Sequence, residues 1–305
     1  MYDLVIVGGG PGGVAAGVYA ARKKIKTLLI TDTFGGQSLV SADIQNWIGT
    51  KSISGFDLAR AFEGHLRAQE GIEIVDGDLV VAVKKSEHGF AVTTRKGKAF
   101  ETKYVLLVSG SSRKKLGVPG EKEFDGKGVV YCTTCDAPLF GNKATVVVGG
   151  GNSALESMMD LIPYASKIYL IVRSDALRGD PVTQEKVKHN PKVEILWNTV
   201  VEEIRGKDMV TGISVKNMKS GEAREIPLDG VFVEIGLVPN SGFVKDLVTL
   251  DAHGHVVVDH RTQATSVPGI WAAGDVTDVR YRQNNISAGD AIKAVLNIYE
   301  ALMKH

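Results

Sequence analysis

Residues 3–24 read DLVIVGGGPGGVAAGVYAARKK. The run Leu4–Val7 is short, apolar and rich in β-branched residues, as a strand buried on both faces should be. Gly8, Gly10 and Gly13 then form G-x-G-x-x-G, with Pro11 inside it, and an alanine-rich segment of helical composition follows. The three glycines serve different physical needs, namely a tight turn, close backbone approach to a pyrophosphate, and close helix–strand packing. The start of the helix offers free N–H groups and the positive dipole end to the phosphates. A second apolar run, KTLLIT, leads to Asp32. A lone G-x-G-x-x-G is weak, but strand, glycine turn, helix, strand and acid in this order specify a dinucleotide-binding unit.

The pattern recurs in ATVVVGGGNSALESMMDLIPYASKIYLIVR, residues 144–173. Here Gly149, Gly151 and Ala154 give G-x-G-x-x-A, with Asn152 and Ser153 at the predicted helix start. Position +24 from the first glycine is Asp32 in one unit and Arg173 in the other. An acid there accepts hydrogen bonds from a ribose 2′-OH, whereas an arginine accommodates a 2′-phosphate. The first unit is therefore expected to hold a nucleotide with free ribose hydroxyls, such as the adenosine of FAD, and the second to hold NADP. Arg178 is placed to be a second phosphate contact. Two further strand-like runs end in small residues, VLLVSGSS at 105–112, which contains Gly110, and GIWAAGDV at 269–276. Asp275, after Gly274, suits a ribityl hydroxyl; an ordinary strand-end turn is the alternative.

The only two cysteines of the 305 residues, Cys132 and Cys135, lie in YCTTCDAPLF (131–140). A zinc site needs a second ligand pair, and the seven histidines offer none except in DAHGHVVVDH, which reads as a polar turn leading into a strand. A structural disulfide over so short a loop constrains the unfolded chain little. A C-x-x-C pair suits redox chemistry, one thiol attacking and the other resolving. Asp136 follows the pair directly and is of a residue type that caps helix starts.

Composition narrows the classes. With 36 basic and 35 acidic residues the formal net charge is +1, which provides no electrostatic footprint for nucleic acid or an anionic membrane. No apolar run approaches the roughly 20 residues of a membrane span. No basic n-region precedes the first strand, and both cysteines sit in one C-x-x-C, so a reducing cytoplasmic setting without metal is expected.

The ordered set GGGPGG, FGGQ (34–37), IQNWIG (44–49), VPGE (118–121), YCTTCD, GGGNSALE, IGLVPN (235–240), AAGDV and YRQ (281–283) resembles the low-molecular-weight thioredoxin reductases of prokaryotic type, essentially from end to end. That resemblance implies an FAD-dependent homodimer that moves electrons from NADPH to the disulfide of thioredoxin or a thioredoxin-like protein. It implies FAD contacts at Gly8, Gly10, Pro11, Gly13, Asp32, Gly36, Gln37, Asn46, Gly110, Gly274, Asp275, Arg282 and Gln283. It also implies pyridine-nucleotide contacts at Gly149, Gly151, Asn152, Ser153, Ala154, Arg173 and Arg178. Cys135 would face the flavin, Cys132 would attack the partner, and Asp136 would be the acid–base group. Three departures stand out. VRSDALR has Val172 and Ser174 where the family's phosphate motif has His and Arg, so a weakened NADPH preference is expected and NADH use is possible. Ala137 replaces a usual Gly, and Asn284 a usual Ala. Relatives fed by ferredoxin or reduced flavin, or a non-enzymatic flavin–dithiol sensor, are the alternatives.

The expected architecture is α/β, with two Rossmann-like domains. The FAD domain is discontinuous, at 1–113 and 242–305, and a pyridine-nucleotide domain at 114–241 carries the C-x-x-C. KKLGVPG and GLVPNSG are the expected hinges, about which the domains rotate so that nicotinamide and dithiol reach one flavin in turn.

Overall fold

A computed structural model describes residues 1–41 and 44–304. The chain forms two compact units, Met1–Ser112 with Val238–His305, and Arg113–Leu237. Both have the α/β, Rossmann-like build that the repeated glycine pattern leads one to expect.

In the first unit, β1 (Tyr2–Gly9), α1 (Pro11–Arg22), β2 (Thr27–Phe34), α2 (Gly55–Arg67) and β3 (Ile72–Asp76) precede three strands, β4 (Val80–Ser86), β5 (Gly89–Thr94) and β6 (Ala99–Leu107). The strand order is β3-β2-β1-β6-β5-β4. The pairs among β3, β2, β1 and β6 are parallel, while β4 and β5 complete an antiparallel edge. Alternation splits β1 between two cores. Leu4 and Ile6 face a layer with Leu66, Ala294 and Ile298, whereas Val5 and Val7 face one with Val92, Val105 and Val256. Pro11 opens α1, where a missing N–H costs nothing. Ser54 caps α2 by accepting from the Asp57 N–H at 3.1 Å.

The glycine turn leaves no room for a side chain. Gly8 has φ +122°, and a Cβ on Gly13 would lie 1.9 Å from the Gly8 carbonyl oxygen. Backbone cannot yield as a side chain does. Gly13→Ala is therefore expected to cost about 1–3 kcal/mol or more, lowering Tm by about 2–4 °C per kcal/mol. Gly64→Ala, in the exposed interior of α2 with nothing within 4 Å of the added methyl, is expected to raise Tm instead. Thermal unfolding followed by circular dichroism checks both signs.

The chain passes between the units at β7 (Ser111–Arg113) and returns at β16 (Leu237–Pro239), and these two strands pair with each other. The second unit opens with β8 (Val129–Val130) and the single helical turn α3 (Thr133–Asp136). The glycine-turn unit follows as β9 (Ala144–Val148), α4 (Asn152–Leu161), β10 (Lys167–Val172), α5 (Pro181–Lys188) and β11 (Val193–Trp197). β12 (Thr199–Gly206), β13 (Val210–Asn217) and β14 (Ala223–Pro227) make an antiparallel meander, and β15 (Gly230–Val233) returns to the parallel sheet, ordered β11-β10-β9-β15-β8. The first unit then resumes, adding β17 (Ile270–Ala272) beside β6 and closing with α6 (Asn284–Met303) over the sheet.

One expectation is corrected. The strand expected in DAHGHVVVDH does not form; Val256 makes only isolated bridges to Leu250 and Thr277. The Asp251 carboxylate captures the backbone N–H groups of His253 and His255, both at 2.8 Å, which folds the segment into a turn.

Candidate functional site

The first unit gathers most of its predicted residues around the start of α1. Gly10 is the N-cap, with extended backbone, and as a glycine it gives the first-turn N–H groups no side-chain cap. Gly36, at φ +55°, faces it closely; a Cβ on Gly36 would sit 3.4 Å from the Gly10 Cα. Gln37 follows, exposed, in a short 3₁₀ turn. Gly110 has φ +66° and open space where a side chain would be, and its carbonyl accepts the Asn240 N–H at 2.9 Å. These cradles fit a dinucleotide's phosphates.

A second group forms at the start of α6. Gln283 is the α6 N-cap residue, again without a side-chain cap, and its amide oxygen accepts from Asn46 at 3.1 Å. Asn285 donates to the Asn46 carbonyl at 2.7 Å, and Ser38 bonds the Asn284 amide at 3.1 Å. Asp275 follows Gly274 in a 3₁₀ turn and accepts from Ser287 at 3.3 Å. Arg282 lies 2.7 Å from the Nε2 of His255. Sequence reasoning missed Ser38, His255, Asn285 and Ser287. Asn284, noted only as a departure from the family's usual Ala, turns out to be Ser38's partner. Asp32, on β2, is half-exposed and pairs with Arg95 at 3.1 Å.

In the second unit Gly151 is the α4 N-cap, again without a side-chain cap, and a Cβ there would meet nothing within 4 Å. Ser153 is exposed at the helix start, and Ala154 is fully buried in the place of a third glycine. Asn152 is turned to structure: its amide oxygen accepts the Asp180 N–H at 2.8 Å. The Arg178 N–H donates to the Gly150 carbonyl at 2.8 Å, which ties the arginine's backbone to the Gly149–Gly151 turn. Arg173 follows β10, and both arginines are exposed. Val172 is only 2% exposed, in the core, and Ser174 bonds the Ala176 carbonyl at 2.9 Å.

The dithiol segment lies in the same unit. Cys132 is disulfide-bonded, half-buried, and the N-cap residue of α3. The chain's other cysteine is Cys135, whose side chain lies outside the described residues. Asp136 is 8% exposed. Burial pushes its carboxyl up to about 6, against the opposing pull of Arg113. Asp136 is the N-cap residue of the 3₁₀ turn Ala137–Phe140, where its side chain makes no capping hydrogen bond. Behind α3, Thr133 donates to Ser157 at 2.7 Å and lies 3.4 Å from Glu234. Burial raises the Glu234 carboxyl too, opposed by Arg113 at 4.0 Å. Glu121, buried, accepts from the backbone of Leu116 and Gly117 and from the Tyr131 hydroxyl at 2.7–2.9 Å, fixing the residue before Cys132. None of Arg113, Glu121, Tyr131, Thr133, Ser157 and Glu234 was predicted as a site residue, although VPGE and YCTTCD contain three of them.

Among the described residues no helix is long and apolar enough to cross a membrane, and no group of three potential metal ligands assembles.

A family model for pyridine nucleotide-disulphide oxidoreductases matches residues 2–291. An alkyl hydroperoxide reductase subunit of Staphylococcus epidermidis is 39% identical over 304 residues, all of this chain but 60% of that protein. The chain thus spans 60% of the length of the curated relatives it matches. Among solved structures, thioredoxin reductase of Streptococcus pyogenes is 35% identical with a TM-score of 0.84, covering 100% of this chain and 99% of that one. Thioredoxin reductase of T. acidophilum is 37% identical with a TM-score of 0.74, covering 99% of each.

Proposed function

This chain belongs to the pyridine nucleotide-disulphide oxidoreductase family, whose members use FAD and NAD(P)H, and from that premise we propose that it is a thioredoxin-disulfide reductase. The observation that carries the reading is the disulfide-bonded Cys132, followed within one turn by the buried Asp136 with its carboxyl near 6. The likeness to two thioredoxin reductases along their whole length supports thioredoxin, or a thioredoxin-like protein, as the disulfide partner. The likeness to the alkyl hydroperoxide reductase protein supports a second partner class, a disulfide belonging to a peroxide-reducing system. A cytoplasmic homodimer is the setting that the family resemblance supports.

The uncapped starts of α1 and α6, with Gly36, Gly110, Asp275 and Arg282, would hold FAD; the start of α4, with Arg173 and Arg178, would hold the pyridine nucleotide. When bound, FAD supplies two-electron exchange between the nicotinamide and the dithiol. Cys132, reduced, attacks the partner's disulfide. Asp136 holds a proton at its carboxyl and gives it to the departing thiolate. Cys135 then attacks Cys132, restoring the enzyme disulfide and freeing the partner as a dithiol. An anaerobic titration tests the reading. The purified protein is expected to be yellow, to bleach with NADPH, and to regain colour on adding oxidised thioredoxin. Bleaching with neither NADPH nor NADH would favour a protein fed by ferredoxin or reduced flavin, or a sensor.

NADPH is expected to be preferred over NADH, because Arg173 and Arg178 remain. Each charge-assisted hydrogen bond to a 2′-phosphate is worth about 1.5–3 kcal/mol, or roughly 10–100-fold. Arg173→Ala should lose that factor in kcat/KM for NADPH and leave NADH use unchanged. Ser174→Arg should raise the NADPH/NADH ratio through KM, since the phosphate is remote from the reacting centre. Faster reduction by NADH in the wild type would show the two arginines to be misread.

A further inference from the structure

His255 sits between two charged side chains. Its Nδ1 lies 2.9 Å from the Asp251 carboxylate, and its Nε2 lies 2.7 Å from Nη2 of Arg282. The imidazole is 12% exposed. A guanidinium has donors only. The short contact to Arg282 therefore requires a lone pair on Nε2, so the ring proton must be on Nδ1, where Asp251 accepts it. The tautomer follows from the neighbours. Asp251 is itself fixed: burial opposes its ionisation, but the backbone N–H and ring of His255 and the backbone N–H of His253 outweigh that and pull the carboxyl to about 2. The His253 ring stands 6.3 Å from that of His255.

The turn carrying His255 is stitched to the predicted flavin segment. The Val256 N–H donates to the Val276 carbonyl at 2.9 Å, and the Asp278 N–H returns to the Val256 carbonyl at 3.1 Å. The same segment holds Gly274, whose carbonyl accepts from the Thr277 hydroxyl at 2.7 Å. Arg282, by contrast, stands on the stretch just before α6. Its Nε is buried and has no hydrogen-bond partner among the described residues. A long side chain with a donor unused would sample several rotamers unless something outside its own stretch held it.

We propose that His255 is a positioning residue for Arg282: Asp251 holds the imidazole in the Nδ1–H form, and the Nε2 lone pair fixes the guanidinium with its remaining donors turned to the flavin. This rests on the reading above that Arg282 contacts FAD. The imidazole acts through Arg282, by removing the freedom the arginine would otherwise lose on binding.

Two near-isosteres separate the halves of the relay. In His255→Gln the amide reaches the place of Nε2 and offers Arg282 an acceptor. In His255→Asn it reaches the place of Nδ1, keeps a donor for Asp251 and leaves Arg282 without its acceptor. FAD affinity is measured by flavin fluorescence quenching as stripped protein is reconstituted with FAD. Arg282→Ala is expected to weaken binding roughly 10–100-fold. His255→Asn should weaken it roughly tenfold, as loss of an outer-shell partner does for a metal ligand, while His255→Gln stays within about twofold of wild type. The double variant His255→Asn/Arg282→Ala should bind no worse than Arg282→Ala alone, because the two act as one. Equal losses for Asn and Gln, or additive losses in the double variant, would overturn the proposal and leave the flavoprotein reading intact. An Arg282→Ala protein that binds FAD normally would also overturn it, since the arginine would then have nothing to position. Failure of the wild type to take up FAD at all would overturn the functional reading itself, and the proposal with it.

Discussion

Cys135→Ser protein, reduced and mixed with oxidised thioredoxin, is expected to accumulate a covalent mixed disulfide through Cys132. A mixed disulfide is released only when a second thiolate attacks it, and this chain has no third cysteine. The adduct should be visible as a higher band on non-reducing gels and vanish with dithiothreitol. Cys132→Ser should give no adduct. Turnover in both should fall by at least roughly 10⁴-fold, the scale of losing a nucleophile. Both proteins should remain yellow and still bleach with NADPH, because the glycine turns at Gly10 and Gly151, proposed above to hold the dinucleotides, are built from other segments. Loss of FAD on either substitution would make the pair structural. An adduct on Cys132→Ser instead would reverse the two roles. Cys132 is half-buried at the head of a helix of one turn only.

What the sequence shows and hides follows from range. The two glycine turns are local: strand, turn and helix lie within some twenty residues, and a packed β1–α1 joint admits nothing larger at Gly13. Their reading carries to the structure, as does the parallel sheet. The surroundings of the dithiol are not local. Arg113 and Glu234 meet across 121 residues of sequence, and Thr133 reaches Ser157 and Glu234 across 24 and 101. No spacing rule joins them; β7 and the end of β15 bring them to α3. The same holds for Arg282 and His255, 27 residues apart. His255 looked like part of a polar turn because its partners come from the folded loop. Val172, read as a departure at the phosphate, points the other way: it is core, so its loss of a polar group leaves Arg173 and Arg178 as the phosphate's candidates. Ser174, bonded to its own loop, is the position where a third arginine is missing.

Asp136→Asn is expected to separate the two half-reactions. Asparagine keeps the shape and removes the proton, so bleaching by NADPH should be unchanged while disulfide turnover falls about 10²–10⁴-fold, the usual contribution of a positioned acid. The pH dependence fixes the assignment. Burial holds the Asp136 carboxyl near 6, well above the ordinary aspartate value, so it keeps its proton where an exposed aspartate has lost it. Turnover that draws on this proton should be level below about pH 6 and decline above it. In Asp136→Asn that limb should be missing. Stability runs in the same direction. Between the unfolded value and about 6 the folded chain binds a proton that the unfolded chain has released, so raising pH through that window costs stability. Asparagine removes the cost, and Asp136→Asn should unfold at a higher temperature than wild type at pH 7. A variant that is slower yet more stable cannot owe its slowness to unfolding. An equal fall in both half-reactions, or a wild-type pH limb that survives the substitution, would assign the proton to another group. Glu234 is the next candidate. It too is a buried carboxyl raised by desolvation, and it reaches α3 through Thr133.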